Sequence, residues 1–258
     1  MRWGVVVVAG GLVKDPLASA IGTPRKALAS IGGRTCLART LDAVRDAELN
    51  DCVTVSGEDV EEHVHHGMLV HERDSQIENA RYGVEALPSV DAVLFLPADS
   101  PLLEASTLTK FMDDVTQRIN DGEERWLAAG LTGLEEFREQ FPSIGTQPIR
   151  LRDGDFLSGA LFATSPAAFL NAIALIDEMS KSRKNQVALL MKLGFWTVIK
   201  YLMNRVSIAD AEEKLGKIFE GQAIVVTGCD PCMAADIDDV ADYDELRIHT
   251  NLKKSEES

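Results

Sequence analysis

Four consecutive valines, Val5–Val8, run into Ala9-Gly10-Gly11 near the start of the chain. A continuous apolar run has no polar face. It fits a strand covered on both sides, the situation of an inner strand in a parallel sheet flanked by helices. The two glycines let the main chain turn and bring its amides close to an anion. A basic loop follows, with Lys14, Arg25 and Lys26 in "LVKDPLASAIGTPRK". Amides and cationic groups beyond the carboxyl end of a buried strand suit a triphosphate. A solvated turn with ordinary surface lysines uses the same residues, so the loop alone leaves both readings open.

Runs of the same kind recur at Cys52–Ser56, Met68–His71 and Ala92–Pro97. Weaker ones lie at Trp126–Ala129, Pro148–Leu151, Phe156–Ala163 and Ala223–Thr227. Amphipathic patterns over Thr35–Ala47, Gln76–Leu87 and Ser106–Ile119 fall between the early runs. Strand alternating with helix predicts an α/β fold with a largely parallel sheet. Residues 166–221 read as helical throughout, which predicts a helical insertion within a single domain spanning 1–258. Ser207 and Asp210 have the spacing of a capping box inside it.

Bulk properties narrow the function. The 258 residues carry a formal net charge of −15, which disfavours wrapping nucleic acid or binding anionic membranes. An anionic ligand must then be held by a local basic patch or a metal ion. Cys36, Cys52, Cys229 and Cys232 are too few for a disulfide framework, and the first apolar stretch is too short for a signal peptide, so a cytoplasmic location is expected. Cys229 and Cys232 form a lone CxxC, which lacks the second pair a zinc site needs and reads as structural thiols near a turn. His63, His65, His66 and His71 are expected on an exposed loop. The apolar stretch 194–203 reads as a core helix, with contact to a membrane surface or a second subunit as the alternative. Neither the G-x-x-x-x-G-K-[ST] nor the G-x-G-x-x-G pattern occurs, which excludes a P-loop and disfavours a Rossmann dinucleotide site.

Three segments together carry a family resemblance. Ala9-Gly10-Gly11, with "RKALASIGGRTCLARTLDAV" (25–44), is the first; "DAVLFLPADSPLL" (91–103) and "DIDDVADYDEL" (236–246) are the second and third. In this order the chain resembles the MobA-like nucleotidyltransferases over residues 4–165 and 222–248. The resemblance implies a mixed, mostly parallel sheet of the Rossmann-like nucleotidyltransferase (GT-A) type. It implies NMP transfer from an NTP to a small phosphorylated or hydroxylated acceptor, with Mg²⁺ as cofactor and pyrophosphate as product. By carry-over, Lys26 and Asp99 are the catalytic residues, and Asp99 and Asp238, ahead of Asp236, are the metal ligands. Ala9, Gly10, Gly11, Lys14, Arg25, Lys26, Glu78 and Asn79 would bind the nucleotide. Gly159, Arg183 and Lys184 would face the acceptor. The competing readings are a GT-A glycosyltransferase, which should show the second acid of an Asp-x-Asp where Pro101 stands, and a nucleotide-binding regulator without turnover. Asp99 also has a plain alternative as a helix N-cap, and the run from Asp236 to Asp244 one as a solvated acidic face.

Overall fold

The computed structural model describes residues 1–73, 75–181 and 206–256. In chain order the elements are β1 (Trp3–Val8), α1 (Leu17–Ile21), β2 (Ser30–Ile31), β3 (Arg34–Thr35), α2 (Cys36–Asp46), β4 (Cys52–Ser56), β5 (Met68–His71), α3 (Gln76–Ala86) and β6 (Ala92–Pro97). There follow α4 (Ala105–Arg118), β7 (Trp126–Gly133), α5 (Leu134–Gln140), β8 (Ile149–Leu151), β9 (Gly154–Thr164), α6 (Pro166–Lys181), α7 (Ile208–Phe219), β10 (Gln222–Val226) and α8 (Val240–Glu256).

The main sheet has the order β10-β7-β9-β6-β1-β4-β5, with β8 paired to β9. β5, β4, β1 and β6 are mutually parallel, as are β7 and β10. β9 runs antiparallel between β6 and β7 and joins the two halves. The sheet is therefore mixed and mostly parallel.

The valine run is explained by its two coverings. Val5 and Val7 face a core that includes Leu37 and Leu41 of α2 and Leu108 and Phe111 of α4. Val6 faces the opposite side, with Val53, Val55, Leu87 and Val93. Val5, Val6 and Val7 are fully buried, and each contributes about 1.5–3 kcal/mol by leaving water. Helix starts follow local chemistry. The Thr35 hydroxyl accepts from the Ala38 amide at 3.1 Å and starts α2. Ser207 and Asp210 form the expected capping box at α7.

Two sequence expectations change. The apolar run Met68–His71 predicts burial on both faces, but β5 is the last strand on its side, and Met68 is half exposed. Helices α1 and α5 have no counterpart among the expected elements. Of the expected helical insertion, α6 and α7 are described, and α7 packs on β10 through Leu215, Phe219 and Ala223. Arg183, Lys184 and the stretch 194–203 lie outside the described residues. Among the described residues, no helix is long and apolar enough to cross a membrane.

Candidate active site

The parallel strands all end on one side, and the loops leaving them meet there. Lys26 lies in a single 3₁₀ turn, 26–28, between the loop after β1 and the β2–β3 hairpin. Its Nζ sits 2.7 Å from Asp238 Oδ1 and 3.3 Å from Asp99 Oδ2. Asp99 stands two residues past β6, and Asp238 stands just before α8. The main chain joins them as well, since the Ile237 amide donates to the Asp99 carbonyl at 3.3 Å. Asp99 caps no helix; α4 begins at Ala105 with Glu104 as its N-cap. Residues 26, 99 and 238, distant in sequence, thus converge on one point.

Negative charge is in excess at that point. Burial pulls the Lys26 ammonium down, but Asp99 and Asp238 outweigh it, and its pKa is raised overall. Burial pushes the Asp99 carboxyl up despite Lys26 beside it. Burial, with Asp99 and Asp238 adding to it, pushes Asp236 up to about 7. One ammonium faces three carboxyl groups. An all-oxygen donor set short of positive charge fits a hard divalent ion, which can take one or two carboxylates and complete its shell with water and phosphate oxygens. Among the described residues, no group of three or more His, Cys, Asp or Glu side chains is placed to hold a metal ion, so any ion here would rest on one or two carboxylates and on ligand oxygens. The acidic run is not a uniform solvated face. Asp242 is buried and accepts from the Asp238 and Asp239 amides at 2.9 and 3.0 Å, while Asp239 accepts from the Ala241 and Asp242 amides at 2.8 and 3.0 Å. These bonds fix the loop that presents Asp238.

The glycine loop lies at the same end of the sheet. The Ala9 amide donates to the Val55 carbonyl at 2.9 Å, and the Ala9 carbonyl accepts from Ser56 Oγ at 2.7 Å. Gly11 has φ of 83°, which favours glycine, and its amide donates to Glu72 Oε2 at 2.9 Å. A Cβ on Gly10 would collide with the same oxygen, so a larger residue there would displace the Glu72 carboxylate. Lys14 is exposed, and its ammonium pairs with no described residue, while its carbonyl accepts from the Ala18 amide at 3.1 Å.

Other expected site residues have structural partners. Arg25 is buried, with its Nε 2.8 Å from Asp59 and its Nη1 3.1 Å from Glu72. The Glu78 amide and carboxylate both bond the Ser75 hydroxyl, at 3.1 and 3.2 Å, at the start of α3. Asn79 is buried and accepts from the Arg73 amide at 2.5 Å. Gly159 packs on the turn at 231–234, where a Cβ would meet the Met233 carbonyl oxygen at 2.5 Å. Sequence reasoning missed Glu72 and Asp59. Their only signal is an acid just past a predicted strand, which is too common to single them out. Cys229 and Cys232 are buried in separate apolar clusters, as expected of structural thiols. His65 bonds Asp42 at 3.1 Å and His66 the Leu49 carbonyl at 2.8 Å.

The mixed, mostly parallel sheet flanked by helices has the Rossmann-like fold of its nucleotidyltransferase neighbours. The chain resembles a hypothetical transferase from Thermus thermophilus, with TM-score 0.75 and 26% identity over 94% of this chain and all of that one. It also resembles the 2-C-methyl-D-erythritol 4-phosphate cytidylyltransferase of the same organism, with TM-score 0.55 and 16% identity over 97% of this chain and 100% of that one. A third similar fold is a Mycobacterium tuberculosis H37Rv protein in complex with manganese, with TM-score 0.54 and 17% identity over 96% of this chain and 99% of that one. No curated protein matches the sequence. Residues 5–126 match the family described as the MobA-like NTP transferase domain.

Proposed function

We propose that the protein transfers an NMP group from an NTP to a small phosphorylated or hydroxylated acceptor and releases pyrophosphate. The observation that carries this reading is the contact of Lys26 Nζ with both Asp99 and Asp238. In the reaction an acceptor oxygen bonds the α-phosphorus. The bond from that phosphorus to the bridging oxygen breaks, and its electron pair leaves with pyrophosphate. Little covalent work falls to the protein, which positions the reactants and stabilises charge.

Asp99 and Asp238, with Asp236 behind them, would hold a divalent ion, for which Mg²⁺ is the proposal. When bound, the ion would neutralise phosphate charge near the α-phosphorus. It would compete with Lys26 for the two carboxylates and so leave the ammonium to the phosphate oxygens. Lys14 is an exposed cation on the same loop, suited to the outer phosphates. The Gly10–Gly11 segment forms the floor against which the nucleotide would lie. A phosphate acceptor is already a nucleophile and needs no general base; a hydroxyl acceptor would release its proton to water or to the departing pyrophosphate.

Asp99→Ala should lower pyrophosphate release by about a hundredfold or more while the fold persists. The assay screens the four NTPs with Mg²⁺ against candidate acceptors, with circular dichroism as the control for folding. Wild-type turnover in that variant would sink the metal assignment. Tight NTP binding without any pyrophosphate from the wild-type protein would favour the regulator reading.

A further inference from the structure

The Arg25 guanidinium does not turn toward the Lys26–Asp99–Asp238 cluster. It is buried beneath the glycine loop and reaches three segments at the strand ends. Its Nε donates to Asp59 at 2.8 Å, in the segment after β4. Its Nη1 donates to Glu72 Oε1 at 3.1 Å, one residue past β5, and lies 3.4 Å from Ser56 Oγ at the end of β4. Each carboxylate or hydroxyl then continues the chain of bonds. Glu72 Oε2 accepts from the Gly11 amide at 2.9 Å, and Ser56 Oγ donates to the Ala9 carbonyl at 2.7 Å. Both ends of the Ala9–Gly11 turn are therefore tied to one cation. The side chains crowd the main chain here: a Cβ on Gly57 would stand 2.5 Å from Arg25 Nη2 and 3.1 Å from Glu72 Oε1, and would push them aside.

We propose that Arg25 is a positioning residue, which acts through Glu72 and Ser56 to hold the glycine turn in its nucleotide-receiving shape. It is not a ligand of the phosphates. The proposal rests on the nucleotide-binding reading above and changes the part Arg25 plays in it. Two physical points favour it. A buried guanidinium with carboxylates on two sides is already neutralised, so it has little left for a phosphate. Its planar fork matches two acceptors in fixed directions, which suits bracing. The Gly11 amide is likewise committed to Glu72, so the phosphates would depend on Lys26 and Lys14.

The two roles for Arg25 differ in the sign of one effect. If Arg25 bound phosphate, removing Glu72 would free both the guanidinium and the Gly11 amide, and triphosphate affinity would rise. If Arg25 positions the turn, Glu72→Ala should weaken binding about tenfold. Calorimetric titration with Mg²⁺ and each NTP, and with the matching NMP, reads this directly. The expected result is a similar loss for triphosphate and monophosphate in Glu72→Ala and in Arg25→Ala, with the double variant no worse than the singles. Partial recovery is expected in Glu72→Gln, which keeps the acceptor oxygen. Tighter NTP binding in Glu72→Ala overturns the proposal, and so does a loss in Arg25→Ala confined to the triphosphate.

A second measurement needs no ligand and separates this proposal from the proposed reaction. Amide hydrogen exchange at Gly11 should quicken about tenfold or more in Arg25→Lys, a milder change that keeps the charge. Unchanged exchange there overturns the proposal, even if the wild-type protein binds no nucleotide. Faster exchange with no nucleotide binding by the wild type would uphold the bracing and sink the reaction instead.

Discussion

At the scale of single residues, Asp236 carries the clearest pH signature. Burial and its two acidic neighbours raise it to about 7, whereas an unfolded aspartate titrates near 4. Between about pH 4 and 7 the folded chain keeps a proton that the unfolded chain has lost. Unfolding free energy in metal-free buffer should therefore fall as pH rises through that window and level off above it. Asp236→Asn should flatten the profile, read as the urea midpoint against pH. A wild-type profile with no decline between about pH 5 and 7 would contradict the assigned environment. Lys26, Asp99 and Asp238 were legible in the sequence because each sits in a segment with its own family resemblance. The Arg25 partnership was not. Its acids lie 34 and 47 positions away, and nothing local to "TPRK" announces that the cation is buried.

At the scale of elements, the outer edge of β10 shows how a sheet end is closed by side chains. Glu212 of α7 accepts from the Val225 amide at 2.7 Å, and Arg118 of α4 donates to the Val225 carbonyl at 2.8 Å. The two side chains also pair with each other at 2.6 Å. An open edge invites another strand. The double variant Arg118→Ala/Glu212→Ala should associate as concentration rises, and single substitutions should cost about 1–3 kcal/mol of stability. Light scattering across a dilution series tests this; a double variant that stays monodisperse at high concentration refutes the edge-closing role. The strands at 52–56, 68–71 and 92–97 could be bounded from sequence because uninterrupted apolar runs stop where polar residues begin. The exposure of β5 was illegible, since a short apolar run looks the same at an edge as in the interior. Helices α1 and α5 have five and seven residues, too few for a periodic signal. Tertiary burial of Leu17 and Ile21, and of Leu134 and Phe137, sustains them. The antiparallel run of β9 was equally hidden, because alternation along a strand carries no direction.

At the scale of the whole molecule, the proposed ligand should stabilise the fold that gathers its binding groups. Lys26, Asp99 and Asp238 come from near the start, the middle third and near the end of the chain. An ion and an NTP that bind them only when assembled favour the folded state, by about 2.7 kcal/mol at a hundredfold excess over Kd. Melting temperature should rise with NTP and Mg²⁺ together, and the rise should vanish in Asp238→Ala. Equal shifts in that variant and the wild type would show that the nucleotide binds elsewhere.

The placing of β9 has a further consequence for how such a chain is made. Residues Val93–Phe95 of β6 take their outer hydrogen bonds from Phe162–Thr164, and those of β7 from the same strand. During synthesis on the ribosome, the β5-β4-β1-β6 half is therefore complete in sequence while one side still stands bare. Its greasy border must wait for a strand translated much later. The strand that seals it also joins this half to β7, on whose far side β10 and the loop bearing Asp238 are added last.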